Sequence, residues 1–388
     1  MFRGEKKILS FLEKNKDIIA FTVISIIGLI IRYTGRECIS GDMSSCLIPW
    51  YEELKEGGGI HALKKQIGNY NILYQTIIAC FTYTKVNCIY MYKILSIVFD
   101  YLMAYSTSYF ICKSTQSKII GVKFNIMYAV ILCLPTVVLN SGFWGQCDSI
   151  YTAFALLTIF YLYKEKYIRS FIFLGIAFAF KVQTVFIVPF IICYYMYKKK
   201  FSITMLLVSV FTFWLSGFFA FIMGRSLLEP FTIYAGQTNA YQQMYLNVTS
   251  FWILVGDNWE YLKSFGILIV MLLCGIGLYV ILSGYKLMDS VEEYLNTAGW
   301  FVWVCILFLP AMHERYTYML EIMLIALAFL NPKYIKYVAI STILTLITYG
   351  HFLFRNGGVD RYCALVYLGA WMHYTYVITK TSYIKKTS

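Results

Sequence analysis

This sequence has little charge. Only 14% of its 388 residues are Asp, Glu, Lys or Arg, whereas 60% are hydrophobic. Soluble globular domains carry about 25% charged residues and about half apolar ones. So few charged residues could not cover the apolar surface of a soluble domain of this size. The composition therefore excludes an ordinary soluble domain and predicts a polytopic membrane protein.

Several motifs of soluble chemistry are also missing. The chain has 11 cysteines, but no two have the Cys-X-X-Cys spacing, so we expect no structural zinc site. Neither the Gly-X-Gly-X-X-Gly pattern nor a P-loop occurs, and we expect no soluble nucleotide-binding fold. We predict no cofactor and no metal site. Cys38 and Cys46 share one predicted loop, where a disulfide and two free thiols both remain open.

Long apolar runs fill most of the chain. About 20 apolar residues in a helix cross a hydrocarbon core of about 30 Å, and by this criterion the chain has about twelve candidate spans. We predict an all-α fold, with residues 1–388 forming a single polytopic transmembrane helix bundle. Residues 72–84 are shorter and predict an interfacial helix. The candidate spans lie near residues 16–33, 88–112, 119–139, 149–163, 168–181, 184–197, 203–223, 263–283, 297–312, 316–330, 335–353 and 362–379.

The basic residues predict the orientation of these spans. Most of the 33 Lys and Arg lie in short connectors on one side of the predicted membrane, together with both termini. Cytoplasmic loops carry the excess of basic residues, so we expect both termini to be cytoplasmic. The charged N-terminal segment shows no cleavage site, and we expect the first span to be retained. The net charge of +13 then reflects topology and contact with membrane lipids, and nucleic acid is not an expected partner.

The polar clusters collect on the other, exterior side. They include a first exterior loop at residues 34–87 and a long exterior loop at residues 224–262. Transporters with alternating access place their binding groups near the middle of the membrane and often show internal repeats, which are not seen here. A one-sided collection of polar groups predicts a membrane enzyme whose substrates meet at the outer leaflet.

The first exterior loop contains SGDMSSCLIPWYEEL at residues 40–54, followed by GNYN at residues 68–71. Trp50 is expected to anchor this loop at the membrane interface, and Asn71 is a candidate polar contact for a sugar. An acid held at an interface is partly desolvated and accepts protons more readily, so Asp42 is our candidate general base. The alternative is an ordinary solvated loop acid.

Two further segments carry candidate binding residues. In NSGFWGQCDSIY, Trp144, Gln146 and Asp148 offer an apolar face, an amide and a carboxylate within one turn, which suits sugar hydroxyls. Asp148 could equally cap the next helix. Lys181 and Gln183 interrupt a strongly apolar run, which is typical of a functional site, although a lysine can also reach to the lipid headgroups.

The segment MHERY at residues 312–316 crowds several polar groups into one short connection. Arg315 and His313 are candidates for binding a phosphate, together with Lys181 and Arg355. Glu314 and Tyr316 are candidates for contacts with the sugar or the acceptor. The segment is not a zinc-protease motif, because HExxH would need His at position 317, where this chain has Thr. An Arg-Glu pair that merely closes the connection is the alternative.

Together these motifs resemble those of the integral-membrane GT-C glycosyltransferases. SGDMSSCLIPWYEEL, GNYN, FWGQCDSIYTAF, AFAFKVQTVFIVP and LPAMHERYTY occur in this order between about residues 16 and 330. The chain is similar to the bacterial branch related to the second mannosyltransferase of GPI-anchor synthesis. The resemblance implies a bacterial plasma-membrane protein with its active site on the exterior face. The first loop lacks the paired acids that some members show, so metal dependence is not expected.

The resemblance also implies a reaction. The donor would be a polyprenyl-phosphate-linked sugar, and a hexose of the mannose or glucose type would pass with inversion to a glycan or lipid-linked acceptor. Asp42, the acid of the first exterior loop, would be the base. Two alternatives remain open, namely a flippase or transporter for a lipid-linked sugar and a polysaccharide polymerase or ligase.

Overall fold

Helices make up nearly all of the structure, a computed structural model that describes residues 2–237, 241–285 and 288–387, with the backbone alone for residues 381–387. The first half contains α1 (Arg3–Tyr33), α2 (Ile48–Glu56), α3 (Ile72–Phe81), α4 (Cys88–Ser114), α5 (Val122–Leu132), α6 (Pro135–Val138), α7 (Asp148–Tyr163), α8 (Tyr167–Phe180) and α9 (Val188–Lys198). The second half contains α10 (Met205–Leu215), α11 (Phe218–Ile222), α12 (Glu229–Gln237), α13 (Trp252–Val255), α14 (Trp259–Leu282), α15 (Val291–Phe308), α16 (Tyr318–Leu330), α17 (Ile335–Phe354) and α18 (Arg361–Thr387).

Short irregular helical turns join several of these helices. Two are π-helical turns, at Met43–Leu47 and Leu139–Trp144. Three are 3₁₀ turns, at Gly59–Lys64, Val182–Ile187 and Pro332–Tyr334. Within the described residues, these two π turns mark candidate functional segments, because π turns are frequent at functional sites.

Local sequence explains where several helices begin. The side chains of Asn71 and Asn87 accept hydrogen bonds from the first backbone N–H groups of α3 and α4. Ser290 and Glu293 form a capping box at the start of α15. Pro135 lacks an N–H group and ends the run from α5, so the chain bends by 53° between α5 and the segment that follows.

Among the residues that the structure describes, three helices are long and apolar enough to cross a membrane, namely α4, α14 and the segment Pro332–Phe354 that includes α17. The bent pair of α5 and Pro135–Trp144 would make a fourth if it is one span. A helix lies in each of the twelve predicted segments, but several of these helices have only 10 to 17 residues. The structure thus confirms a nearly all-α chain with candidate membrane spans, and it does not establish the predicted number.

The best-buried helices are α15 and α16, whose described side chains are almost all inaccessible. Helices α4, α5, α7 and α17 pack against α16, and α9, α14 and α18 pack against α15, while α1 and α14 leave large apolar side chains exposed. The shorter helix α3, predicted to be interfacial, is instead largely buried. Its buried face packs against its neighbours because most of its residues on that side are apolar.

A buried ion pair joins α1 to α4. The Arg32 guanidinium lies 2.8 Å from the Asp100 carboxylate, and both side chains are inaccessible. Ser141 donates to the same carboxylate, and Arg32 also donates to the carbonyls of Gly28 and Leu132. A buried charge must be paired and hydrogen-bonded, and this network satisfies that condition. Asp100, one of the few acids inside a predicted span, therefore has a structural role.

One small sheet links two distant parts of the chain. Strand β1 (Tyr245–Leu246) pairs in parallel with strand β2 (Met312–His313). The pairing attaches the long 224–262 segment to the MHERY segment.

Candidate functional site

A cavity of about 320 Å³ brings most of the predicted site residues together. This volume is at the lower end of the range for small-molecule sites. Eight of the predicted residues line it: Asp42, Trp50, Gln146, Lys181, Gln183, His313, Arg315 and Tyr316. They come from four segments that are far apart in sequence, so the fold brings separate motifs together in one site.

Asp42 lies at the start of the first π turn and faces this cavity. Its Oδ2 accepts hydrogen bonds from Trp144 Nε1 at 3.0 Å and from Gln146 Nε2 at 2.6 Å. Arg315 Nη2 lies 3.5 Å from the same oxygen. Among the described residues, all three contacts go to Oδ2, so Oδ1 remains available to a ligand. The side chain is about a quarter exposed, at 26%.

The second π turn and the residues that follow it supply both hydrogen-bond donors to Asp42. It ends at Gly145, whose φ of 74° is in the left-handed region that favours glycine. This reversal turns the chain so that Trp144 and Gln146 both reach the carboxylate. Ser40 Oγ donates to the carbonyl of Trp144 at 3.0 Å and holds the two π turns together.

The loop that leads to Asp42 is fixed by a lysine from α4. Lys93 Nζ donates to the carbonyls of Gly35, Arg36 and Cys38 at 2.6 to 3.1 Å. These carbonyls follow the end of α1, where backbone acceptors lack helical partners. Lys93 was not among the predicted site residues, because it lies within the predicted span at residues 88–112.

Behind the cavity, Asp148 and Lys181 form a buried ion pair. Lys181 Nζ lies 2.6 Å from Asp148 Oδ1, and Asn140 Nδ2 donates to Asp148 Oδ2 at 2.8 Å. Asp148 is the first residue of α7, so its carboxylate also faces the N-terminal end of a helix, where negative charge is favoured. Lys181 lines the cavity, and its charge is balanced by Asp148.

Arg315 is the centre of the charge cluster. Its Nε donates to Glu314 Oε1 at 3.1 Å, and its Nη1 lies 4.0 Å from Asp148 Oδ2. With the contact to Asp42, the guanidinium therefore approaches three carboxylates. Its carbon lies 5.0 Å from the centre of the Trp144 ring, a cation–π distance. Within the described part of the chain, Nη1 is buried and makes no hydrogen bond.

The charges around the MHERY segment reinforce one another. Burial alone would lower the pKa of Arg315, but the carboxylates of Glu314 and Asp148 raise it well above its ordinary value. Burial alone would raise the pKa of Glu314, but its hydrogen bond with His313 and the charge of Arg315 bring that pKa below its ordinary value. Both groups are therefore charged near neutral pH.

Aromatic side chains form much of the remaining wall. Tyr70 donates to Gln146 Oε1 at 3.0 Å, and its ring lies 5.4 Å from that of Trp50. Burial raises the pKa of Tyr70 above its ordinary range, so it stays a neutral donor. On the other side, Tyr241 packs edge-on against the His313 ring at 4.5 Å. Flat apolar faces beside hydrogen-bonding groups are suited to sugar rings.

Five predicted residues do not line the cavity. Trp144, Asp148 and Glu314 lie directly behind it and contact residues that do. Asn71 is fully buried, caps α3 and donates to the carbonyl of Pro230 at 2.9 Å. Arg355 follows α17 and is exposed. The structure therefore does not bring Asn71 or Arg355 to the cavity.

Several cavity residues were not selected from the sequence. Asn69 and Tyr70 belong to the GNYN motif and line the cavity, whereas Asn71 of the same motif caps α3. Four further polar or aromatic residues of the wall lie in and after the long 224–262 segment, and no motif marks them. They are Gln237, Tyr241, Trp259 and Lys263.

Two other expectations concern cysteines and metals. Cys38 and Cys46 are both free thiols. Across residues 2–237, 241–285 and 288–387, no group of three or more His, Cys, Asp or Glu side chains is arranged to hold a metal ion.

Comparison with models of known protein families finds none that matches this chain, and comparison with curated proteins finds no match either. The function implied by the GT-C resemblance therefore depends on the motifs and on the geometry of the cavity.

Proposed function

We propose that this protein is an inverting membrane glycosyltransferase of the GT-C type. It would transfer a hexose from a polyprenyl-phosphate sugar to a glycan or lipid-linked acceptor on the exterior face of the bacterial plasma membrane. The observation that carries the proposal is the set of contacts that the Asp42 carboxylate makes. Donors and a cation hold one carboxylate oxygen, whereas the other accepts no hydrogen bond from the described residues, and the side chain lines a cavity of about 320 Å³.

This arrangement suits a general base. A base must be held rigidly and must keep an oxygen within reach of the hydroxyl that it deprotonates. Asp42 Oδ1 would take the proton of the acceptor hydroxyl while the hydroxyl oxygen forms its bond to the anomeric carbon. The bond from that carbon to the phosphate oxygen breaks, and the lipid phosphate leaves with the electron pair. This single displacement inverts the configuration at the anomeric carbon.

The charge that develops on the leaving phosphate needs a preorganised donor. Arg315 lines the cavity, and its neighbours keep the guanidinium charged. A fixed donor aimed at developing charge stabilises a transition state more than a mobile one does. Arg315 also lies 3.5 Å from Asp42, so one side chain would couple the base to the leaving group.

The walls of the cavity fit both parts of the donor. Tyr70, Trp50 and Tyr316 offer aromatic faces for the sugar, while Gln146 and Gln183 offer amides for its hydroxyls. Apolar side chains from three segments form another side, which would accept the first isoprene units. They are Val185 and Phe186, Ile267 of α14, and Leu309 after α15.

The membrane arrangement is part of the same proposal. About twelve spans, with both termini in the cytoplasm, would put residues 34–87 and 224–262 on the exterior side. These two segments contribute Asp42, Trp50, Tyr70, Gln237 and Tyr241 to a single cavity, which supports their lying on the same side.

Transfer by the purified protein tests the proposal directly. Detergent-solubilised enzyme would be incubated with a polyprenyl-phosphate hexose and candidate acceptors, and the product anomer determined by NMR. Mass analysis of the lipid-linked glycan in a deletion strain adds a second readout. One missing sugar supports the transferase. A complete lipid-linked unit that stays on the inner leaflet would instead support a flippase, and an unpolymerised complete unit outside would support a polymerase or ligase.

A further inference from the structure

Among the described residues of the cavity wall, one cation has no carboxylate partner. Lys181 is paired with Asp148 at 2.6 Å, and Arg315 contacts Asp42 and Glu314. Lys263 of α14 also lines the cavity, and it makes no ion pair with any described residue. Its Nζ lies 4.8 Å from the centre of the Trp259 ring, a contact that holds the ammonium group without cancelling its charge.

Lys263 is placed where the polar and apolar parts of the cavity wall meet. Ile267 follows it by one helical turn and also lines the cavity. Between them, Gly266 packs closely against the end of α15, where an added Cβ would lie 3.1 Å from the carbonyl oxygen of Phe308. The polar residues around Asp42 lie on the other segments of the wall. A ligand that has an anionic group between an apolar chain and a polar head matches this order.

We infer that Lys263 binds the phosphate of the lipid donor in the ground state, an inference that rests on the proposed function. The isoprenoid chain would extend past Ile267 along α14, and the sugar would point toward Asp42. Arg315 then has a different task, since its contact with Asp42 ties it to the base, and its guanidinium would stabilise the charge that develops during transfer. A sugar phosphodiester carries a single negative charge, which matches a single unpaired cation.

The division of tasks predicts different kinetic effects. Lys263→Gln should raise the KM for the donor about tenfold or more, because it removes one charge-assisted contact, while kcat and the acceptor KM stay near wild type. Lys263→Arg should recover much of the affinity, since it restores the charge. Lys85→Gln is the matched control, because Lys85 is an exposed lysine of the first predicted exterior loop and is not part of the cavity wall.

A binding measurement keeps the inference testable without turnover. The probes are a sugar-free polyprenyl monophosphate and the corresponding polyprenol, titrated into wild type, Lys263→Gln and Lys85→Gln in the same detergent. Wild type and Lys85→Gln should prefer the phosphate about tenfold, and Lys263→Gln should lose that preference. A wild-type protein that binds both probes equally, or a Lys263→Gln variant that keeps the preference or the donor KM, overturns the inference.

The same experiment separates the inference from the proposed function. Phosphate-selective binding that depends on Lys263, in a protein that transfers no sugar, supports the lysine assignment and rejects the transferase. Transfer that needs Asp42 and is indifferent to Lys263 supports the transferase and rejects the lysine assignment. Thermal unfolding of each variant shows that it is folded, which is expected for a partly exposed side chain.

Discussion

Replacing Asp42 by Asn is the most informative change in this protein. Asn keeps the size of the side chain and one oxygen that can accept a hydrogen bond from Trp144 or Gln146. It cannot take a proton from a hydroxyl. The substitution therefore separates the chemistry of the carboxylate from its place in the fold.

The expected magnitudes differ enough to tell these roles apart. Removing a general base costs about a hundredfold to ten-thousandfold in rate, or about 2.7 to 5.5 kcal/mol of activation free energy. The structural loss is smaller, because the Arg315 contact is long, at 3.5 Å, and Asp42 is partly exposed. A pair of this kind contributes about 0 to 1 kcal/mol to the free energy of unfolding. Turnover should therefore collapse in a protein that is almost as stable as wild type.

The assay is hexose transfer by purified protein, with donor binding and thermal unfolding measured on the same samples. Asp42→Glu should restore little activity, because the added methylene moves the carboxylate by about 1 Å and reaction geometry tolerates little displacement. Glu52→Gln is the control, since Glu52 is an exposed acid of the same loop that does not line the cavity. It should transfer at the wild-type rate.

A clear result would refute the assignment of the base. If Asp42→Asn keeps more than about a tenth of the wild-type rate, the loss is far below that of a general base. Asp42 would then hold Arg315 in place, and Asp148 would be the next carboxylate to replace. Loss of activity together with loss of donor binding would also count against the assignment, since a base acts after binding.

Three further predictions follow from the site and the proposed topology. Arg315→Ala should lower kcat by about tenfold to a hundredfold, equivalent to about 1.5 to 3 kcal/mol, and Arg315→Lys should recover only part, because Lys lacks the planar fork; an unchanged kcat would leave Arg315 with a structural role. Asp148→Asn should lower the free energy of unfolding by about 3 to 5 kcal/mol, because it leaves the buried Lys181 charge unpaired, whereas the double variant Asp148→Leu with Lys181→Met should lose much less; equal losses, measured by thermal unfolding, would contradict this reading. In intact cells, a membrane-impermeant thiol reagent should label Ser45→Cys and not Lys199→Cys, in a background with Cys38, Cys46 and the exposed Cys80 replaced by Ser; the opposite pattern would invert the topology and remove the proposed site from the exterior face.

The sequence predicted the helical nature of the chain well, because its apolar runs are long and its charges lie between them. It could not predict the lengths of the helices. The break between α5 and α6 follows from Pro135, but several other apolar runs contain shorter helices with no such marker. Apolar patterning indicates that a segment is buried in lipid or protein, and it does not distinguish a span from a buried core helix.

The candidate site was predicted in part, and the failures have physical reasons. Asp42, Lys181 and Arg315 were found because charge is rare in this chain, so that a charged residue beside an apolar run needs a partner. Asn71 was a predicted sugar contact, but an Asn in a polar motif can equally cap a helix, and Asn71 caps α3. Its neighbour Tyr70 lines the cavity instead. Lys263 carried no signal, because a lysine at the start of an apolar helix is common.

The partners of each side chain were beyond sequence reasoning. Lys181 meets Asp148 across a separation of 33 residues, and Arg315 reaches Asp42 from the other end of the chain. Pairings of this kind depend on how the helices pack, and local patterns contain no information on them.

The exposed surface of α14 has a consequence for how any affinity of this protein should be expressed. This helix forms one wall of the cavity through Lys263 and Ile267, yet most of its apolar surface is uncovered by protein. Under the proposed function, a lipid substrate would reach the site sideways, by diffusion within the plane of the bilayer. The relevant concentration is then the mole fraction of donor among the surrounding amphiphiles, and doubling the detergent at a constant amount of donor should raise the apparent KM about twofold. Values measured at different detergent loads are comparable only after conversion to that scale.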